Sequence, residues 1–262
     1  MSALELSLTS LSREARSLFS LLRDVRAAHS VFFRALLRAS NILSAPADPL
    51  TSGLDSAVGE LILLLESTSR SPSACRRSVR ALVKWLESRI EGSRSFLILC
   101  DALGLPEFLS LAYHFERGLH SVAPGGAVNP GGKTGTFKLL VYKIFSKPFT
   151  LEEATLEGAG SLLRGRVGFS DFLVFRGIDE AVHSSSFMGF SDPDRLEEHL
   201  YAPLDDLISL ADDLLKKCPT LVILGDHGYD VEVKGGVWAA CHRWPGASCL
   251  IPALLIRRGG GE

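Results

Sequence analysis

The feature that most narrows the fold is a long amphipathic stretch that runs almost directly into a short apolar one. Leu196, Leu200, Leu204, Leu207, Leu210 and Leu214 recur every three or four residues, and the stretch from Arg195 to Lys217 therefore reads as one helix with a single apolar stripe. Just beyond it stands 221-LVILG-225, an unbroken apolar run ending in glycine. A helix delivering the chain to a fully buried strand is the crossover that a parallel sheet requires. Three further runs of this kind, FLILC (96–100), DFLVF (171–175) and CLIPALLI (249–256), alternate with helical segments. The expected fold class is α/β, with a mainly parallel central sheet flanked by helices.

The first ninety or so residues read differently. Leu11, Ala15, Leu18, Leu22, Val25, Ala28 and Phe32 keep helical spacing, which predicts one helix from Ser10 to Leu43 with Pro46 ending it. Further helices are expected over Leu54–Thr68 and Cys75–Glu91. Residues 1–91 are thus expected to form a helical bundle or hairpin region, a scaffold or a surface for a protein partner, ahead of an α/β domain over 92–262.

Composition removes several classes. A formal net charge of -2 gives no support for a chain that coats nucleic acid or a membrane, although a local patch is compatible with it. No apolar run reaches the roughly 20 residues of a membrane span, and a soluble cytoplasmic protein is expected. The five cysteines are odd in number, irregularly spaced and without a CxxC pair, which argues against a disulfide framework or a zinc knuckle.

Chemistry gathers where the runs stop. FLILC is followed at once by Asp101, DFLVF by Asp179 and His183, and LVILG by Asp226 and His227, while His242 precedes the last run. Ligands of open α/β sheets bind beyond the carboxyl ends of the strands, so the first three clusters meet at one edge by topology alone. Carboxylate oxygens and imidazole nitrogens suit zinc, manganese or iron. If its segment is helical, the four-residue spacing of Asp179 and His183 puts both on one face. Taken singly, Asp101 is also a natural helix N-cap, and His242 a natural core histidine.

The segments FLILCDALG, GIDEAVH, LVILGDHGYD and CHRWPGASCLIPALLI together resemble the alkaline phosphatase superfamily, and within it the PglZ-domain branch, over Ser93 to Arg258. The resemblance implies a mainly parallel sheet between helical layers and two divalent metal ions, zinc or alternatively manganese. It implies one ion on Asp179, His183 and His242, and the other on Asp101, Asp226 and His227 with a nucleophilic hydroxyl. That hydroxyl is expected in 129-NPGGKTGTFKLLVY-142, where Thr134 is preferred to Thr136 and the start of a helix favours an anionic phosphate. Lys133 and Arg176 are the candidates for holding phosphate. A nucleotide P-loop is disfavoured, because 127-AVNPGGKT-134 lacks the first glycine.

The function so implied is metal-dependent hydrolysis of a phosphomonoester or phosphodiester. The resemblance to phage-defence proteins admits nucleic acid as the ester. The alternatives are a PglZ-type scaffold without catalysis and a phosphomutase.

Overall fold

In the computed structural model, residues 2–44, 48–90, 94–145 and 154–259 are described. The expected helix stop at Pro46 and the boundary at residues 91–92 lie outside them. Four helices come first: α1 (Ala3–Phe19), α2 (Val25–Ala39), α3 (Ser52–Ser69) and α4 (Pro72–Glu87). The single helix expected over Ser10–Leu43 is therefore two. The break falls where Asp24 caps α2, its side chain accepting from the Ala27 amide at 2.8 Å. Apolar spacing carries through the turn, so periodicity alone conceals the break, whereas an aspartate three residues before a free amide marks it.

The remainder alternates strand and helix: β1 (Ser95–Cys100), α5 (Leu105–Arg117), β2 (Ser121–Val128), α6 (Thr134–Ile144), α7 (Leu156–Val167), β3 (Asp171–Phe175), α8 (Gly177–Met188), α9 (Pro193–Lys217), β4 (Thr220–Gly225), β5 (Asp230–Lys234), β6 (Val237–Cys241) and β7 (Leu250–Arg257). The main sheet runs β2-β7-β4-β1-β3. Strand β1 is parallel to β3 and β4, while β7 is antiparallel to β4 and to β2. Thus β2, β4, β1 and β3 point one way and β7 alone points back. Strand β2 lies in a stretch with no strand signature, because Pro124, Gly125 and Gly126 interrupt it. An edge position tolerates them, since one side needs no ladder partner. A separate hairpin, β5–β6, turns at Gly235 and Gly236, with φ of 60° and 81°.

Right-handed crossovers place α5 and α9 on one face, and α6 and α7 on the other. Helix α2 packs on α5 and α9, α4 packs on β2, α6 and α7, and α1 lies against α3 and β2. The apolar faces of α1–α4 share one buried cluster with the sheet, from Leu4 to Ile256. No helix among the described residues is long and apolar enough to cross a membrane.

Candidate metal centre

Cys100, Phe175 and Gly225 pair side by side at the ends of β1, β3 and β4. The ladder continues one step further: the Asp101 amide donates to Phe175 O at 2.8 Å and the Asp226 amide to Cys100 O at 3.1 Å. This registry sets Asp101 and Asp226 on neighbouring strand ends. Gly225 is required here, because a Cβ would meet Pro252 Cδ at 2.8 Å and Leu103 Cβ at 2.9 Å. The chain turns at Ala102 with φ of 61°, an unfavourable region for a residue with a side chain, and its amide donates to Asp226 Oδ1 at 3.1 Å. Asp101 does not cap α5; that position belongs to Gly104.

Strand β2 brings Asn129 and the Gly/Pro loop to the same rim, and Thr134 opens α6 there. Thr134 Oγ1 donates to Asp101 Oδ1 at 3.0 Å and lies 3.1 Å from His227 Nε2. His227 Nδ1 is 2.8 Å from Gly228 O, so that nitrogen carries the proton and Nε2 faces the site. His227 Nε2 stands 3.5 Å from Asp101 Oδ1 and 3.6 Å from Asp226 Oδ2, so the adjacent Asp226 and His227 converge on one side.

Asp179 and His183 lie on α8, and Asp179 Oδ1 is 3.4 Å from His183 Nε2. The same oxygen is 3.4 Å from His242 Nε2. Because β7 runs backwards, the segment entering it, with His242, arrives at the rim where the parallel strands end. The His242 ring lies 5.3 Å from His183 and 4.7 Å from His227. Two sets of ligand atoms result, Asp179–His183–His242 and Asp101–Asp179–His227, each with all atoms within 4.8 Å of one another. Asp179 is common to both, so the two sets form one continuous centre.

Burial sharpens the electrostatics. Burial pushes the Asp226 carboxyl up to about 6. Burial depresses the His227 imidazolium, but the Asp226 charge and the bonds to Asp101 and Gly228 outweigh it, leaving the group at about 9. Burial likewise opposes ionisation of Asp101, yet His227 and Thr134 hold it below the usual carboxylate range.

The valences of the centre are also incomplete. Asp226 Oδ2 and both ring nitrogens of His242 are buried without a hydrogen-bond partner. Orphaned groups of this kind are rare and costly in a folded protein. A divalent cation would use Asp226 Oδ2 and the His242 Nε2 that faces Asp179, and the donor set is of the kind that suits zinc or manganese.

Thr136, Lys133 and Arg176 are not part of the two ligand sets. Thr136 Oγ1 is bonded to Asn129 Oδ1 and, at 2.8 Å, to Lys133 O, which turns it into the loop. Lys133 is the N-cap residue of α6, with an exposed side chain that makes no bond to the ligand sets. Arg176 precedes α8 and is engaged by Glu157, although its charge still bears on Asp101. Long side chains go where their partners are, and Glu157 lies far off in sequence.

Sequence reasoning missed three supports. Asn129 is fully buried; its Nδ2 donates to Lys133 O at 2.9 Å and to Asp226 O at 3.0 Å, tying the Thr134 loop to the end of β4. Asn before Pro-Gly-Gly is a turn signal that would have found it. Asp230 accepts from the Ala247 and Ser248 amides at 2.8 and 3.1 Å, fixing the turn that enters β7. The third is a buried network beside the centre, where Tyr229 donates to Glu107 at 2.7 Å. His29 joins Glu107 at 2.9 Å and Glu197 at 2.7 Å.

No protein-family model matches this chain, and no curated protein matches it significantly.

Proposed function

We propose that the protein is a metal-dependent phosphoric ester hydrolase of the alkaline phosphatase type, with Thr134 as nucleophile. One observation carries this reading: a hydroxyl at the start of a helix touches a buried set of carboxylates and imidazoles whose valences are unsatisfied. Divalent cations in such a centre supply Lewis acidity, lowering the pKa of a hydroxyl or water and screening phosphate charge.

The chain's own residues set the geometry. Asp101 and His227 fix the Thr134 rotamer, so that Oγ1 points away from α6 into the centre. The N-terminal turn of α6 has no side-chain cap; the Thr136 amide donates to Lys133 O at 3.1 Å, which leaves the Thr134 and Gly135 amides for the non-bridging oxygens of a phosphate. Attack forms the Thr134 Oγ–phosphorus bond as the ester oxygen leaves as alcohol. Water then replaces the threonine oxygen and releases phosphate, or a phosphomonoester where the substrate was a diester. That Asp179 belongs to both ligand sets supports attack and departure within one cluster. Asn129 holds the loop so that Thr134 meets the end of β4, and the Gly228 carbonyl holds the His227 tautomer.

The test is metal content of protein purified without chelator, together with turnover of an aryl phosphate and an aryl phosphodiester. The reading expects about two zinc or manganese ions per chain. It also expects turnover that chelator abolishes and that the Thr134→Ala variant loses. Turnover that survives Thr134→Ala but not Thr136→Ala overturns the assignment of the nucleophile. Metal-free protein without turnover after zinc or manganese addition overturns the reading as a whole.

A further inference from the structure

A strongly basic ridge lies apart from the metal centre. Between Glu66 and Glu87 the sequence has no acidic residue, yet it carries Arg70, Arg76, Arg77, Arg80 and Lys84. Helix α4 buries Cys75, Val79, Leu82, Val83 and Leu86. The opposite face presents Arg76, Arg80 and Lys84 on successive turns, with Arg77 beside them. All four are exposed, and none has a carboxylate partner among the described residues. In a chain of net charge -2 this is a local concentration of unneutralised charge.

The ridge is flanked by clefts of about 720 and 880 Å³, and Arg77 and Ala81 line both. The first adds Arg80 and Lys84 above an apolar floor of Val83, Ile144 and Phe145. The second adds Trp85, whose ring carries the Arg89 guanidinium at 4.8 Å. Helix α6 starts at Thr134 and ends at Ile144, about 16 Å along its axis, so the ridge sits at the far end of that helix from the proposed nucleophile.

We propose that this surface binds single-stranded nucleic acid. Its phosphates would lie along Arg76, Arg77, Arg80 and Lys84, and unstacked bases would enter the apolar clefts on either side. Charge complementarity selects a polyanion. The pairing of a cationic track with aromatic and apolar recesses selects one with flat apolar units, which a single strand exposes and a duplex hides. The inference does not depend on the chemistry proposed for the metal centre, and its test runs in chelator, where hydrolysis plays no part.

The experiment is fluorescence anisotropy with labelled DNA and RNA strands of about 20 nucleotides, over about 50 to 200 mM salt. The expected result is salt-dependent binding by the full chain. The triple variant Arg76→Glu, Arg80→Glu, Lys84→Glu should bind at least about tenfold more weakly, with a salt slope reduced by about 2. Because these side chains are exposed, the variant should keep its circular dichroism and melting temperature. Phe145→Ala and Trp85→Ala should weaken single-strand binding while leaving the salt slope unchanged. Absence of binding at the lowest salt overturns the proposal, as does undiminished binding by the triple variant. Equal affinity for a duplex of the same length, or equal displacement by polyglutamate or anionic vesicles, overturns the assignment of the ligand.

Discussion

Two clusters of histidine and carboxylate lie on either side of Tyr229, and they are completed in opposite ways. On one side, buried His29 of α2 spends both ring nitrogens, at 2.7 Å on Glu197 of α9 and at 2.9 Å on Glu107 of α5. Burial depresses its imidazolium, but the bonds to the two glutamates prevail and push the pKa up to about 9. The one unpartnered oxygen there, Glu107 Oε2, abuts Gly104, where a Cβ would come within 2.5 Å of it. On the other side, His242 has neither nitrogen bonded and Asp226 has one oxygen free, and both belong to a group of six candidate ligands. The lesson is that residue type and burial do not distinguish a structural ion triad from a ligand set. What distinguishes them is whether the valences are closed by protein or left converging on one place.

The comparison can be broken at its strongest point first. Thr134→Ala should lower kcat/KM for an aryl phosphate by about a thousandfold or more while unfolding stability changes little. Thr136→Ala should do the reverse, costing about 1 kcal/mol through the loosened Asn129 turn while turnover persists. Equal activity losses in the two variants would erase the distinction between nucleophile and loop support.

On the closed side, His29→Ala leaves two buried carboxylates without their counter-charge and should cost about 3–5 kcal/mol in urea unfolding. A loss below about 1 kcal/mol would mean that the triad is not what joins α2 to α5 and α9. On the open side, Asp226→Asn in chelator-treated protein should leave stability unchanged or raise it by about 1 kcal/mol, because it removes a buried charge that has one backbone donor on Oδ1 and no hydrogen bond on Oδ2. The stabilisation of the parent protein by added zinc or manganese should be lost in the same variant. An Asp226→Asn protein that is much less stable without metal would show that the open valence is illusory.

The smallest effect is in pH. The His29 pKa is raised above its ordinary value of 6.5 to about 9, so the folded state holds the proton more tightly than the unfolded chain does. Its contribution is complete below about pH 6.5 and declines as pH rises through about 9. The stability difference between the parent and His29→Gln, measured across that window, should narrow as pH increases. A constant difference would indicate that His29 is neutral in the fold.

The strands at the heart of the sheet were legible because burial on both faces demands an unbroken apolar run, as in FLILC and LVILG. Strand β2, at the edge, escapes that demand and hides behind Pro124 and its glycines. The β5–β6 hairpin carries a readable mark, Gly235-Gly236 between alternating residues. The meeting of Asp101, Asp226 and His227 at one rim was legible because they are rigidly attached to strand ends. The pairing of Arg176 with Glu157 was not, since a long side chain answers to partners outside its own segment. The His29 network joins positions 29, 107, 197 and 229, and no local pattern marks such a contact.

One consequence of the sheet order concerns how the molecule is made. Strand β7 fills the gap between β2 and β4 and, among the described residues, is the only ladder partner of β2 in the main sheet. During synthesis β2 must therefore wait, edge unpaired, while more than a hundred further residues emerge, from Val128 to Leu250. Asn129 follows β2 directly and its amide donates to Cys249 O at 2.8 Å, so the loop bearing Thr134 is anchored on the segment that leads into β7. Ribosome-tethered chains stopped short of β7 should be protease-sensitive, gaining protection once that strand is released.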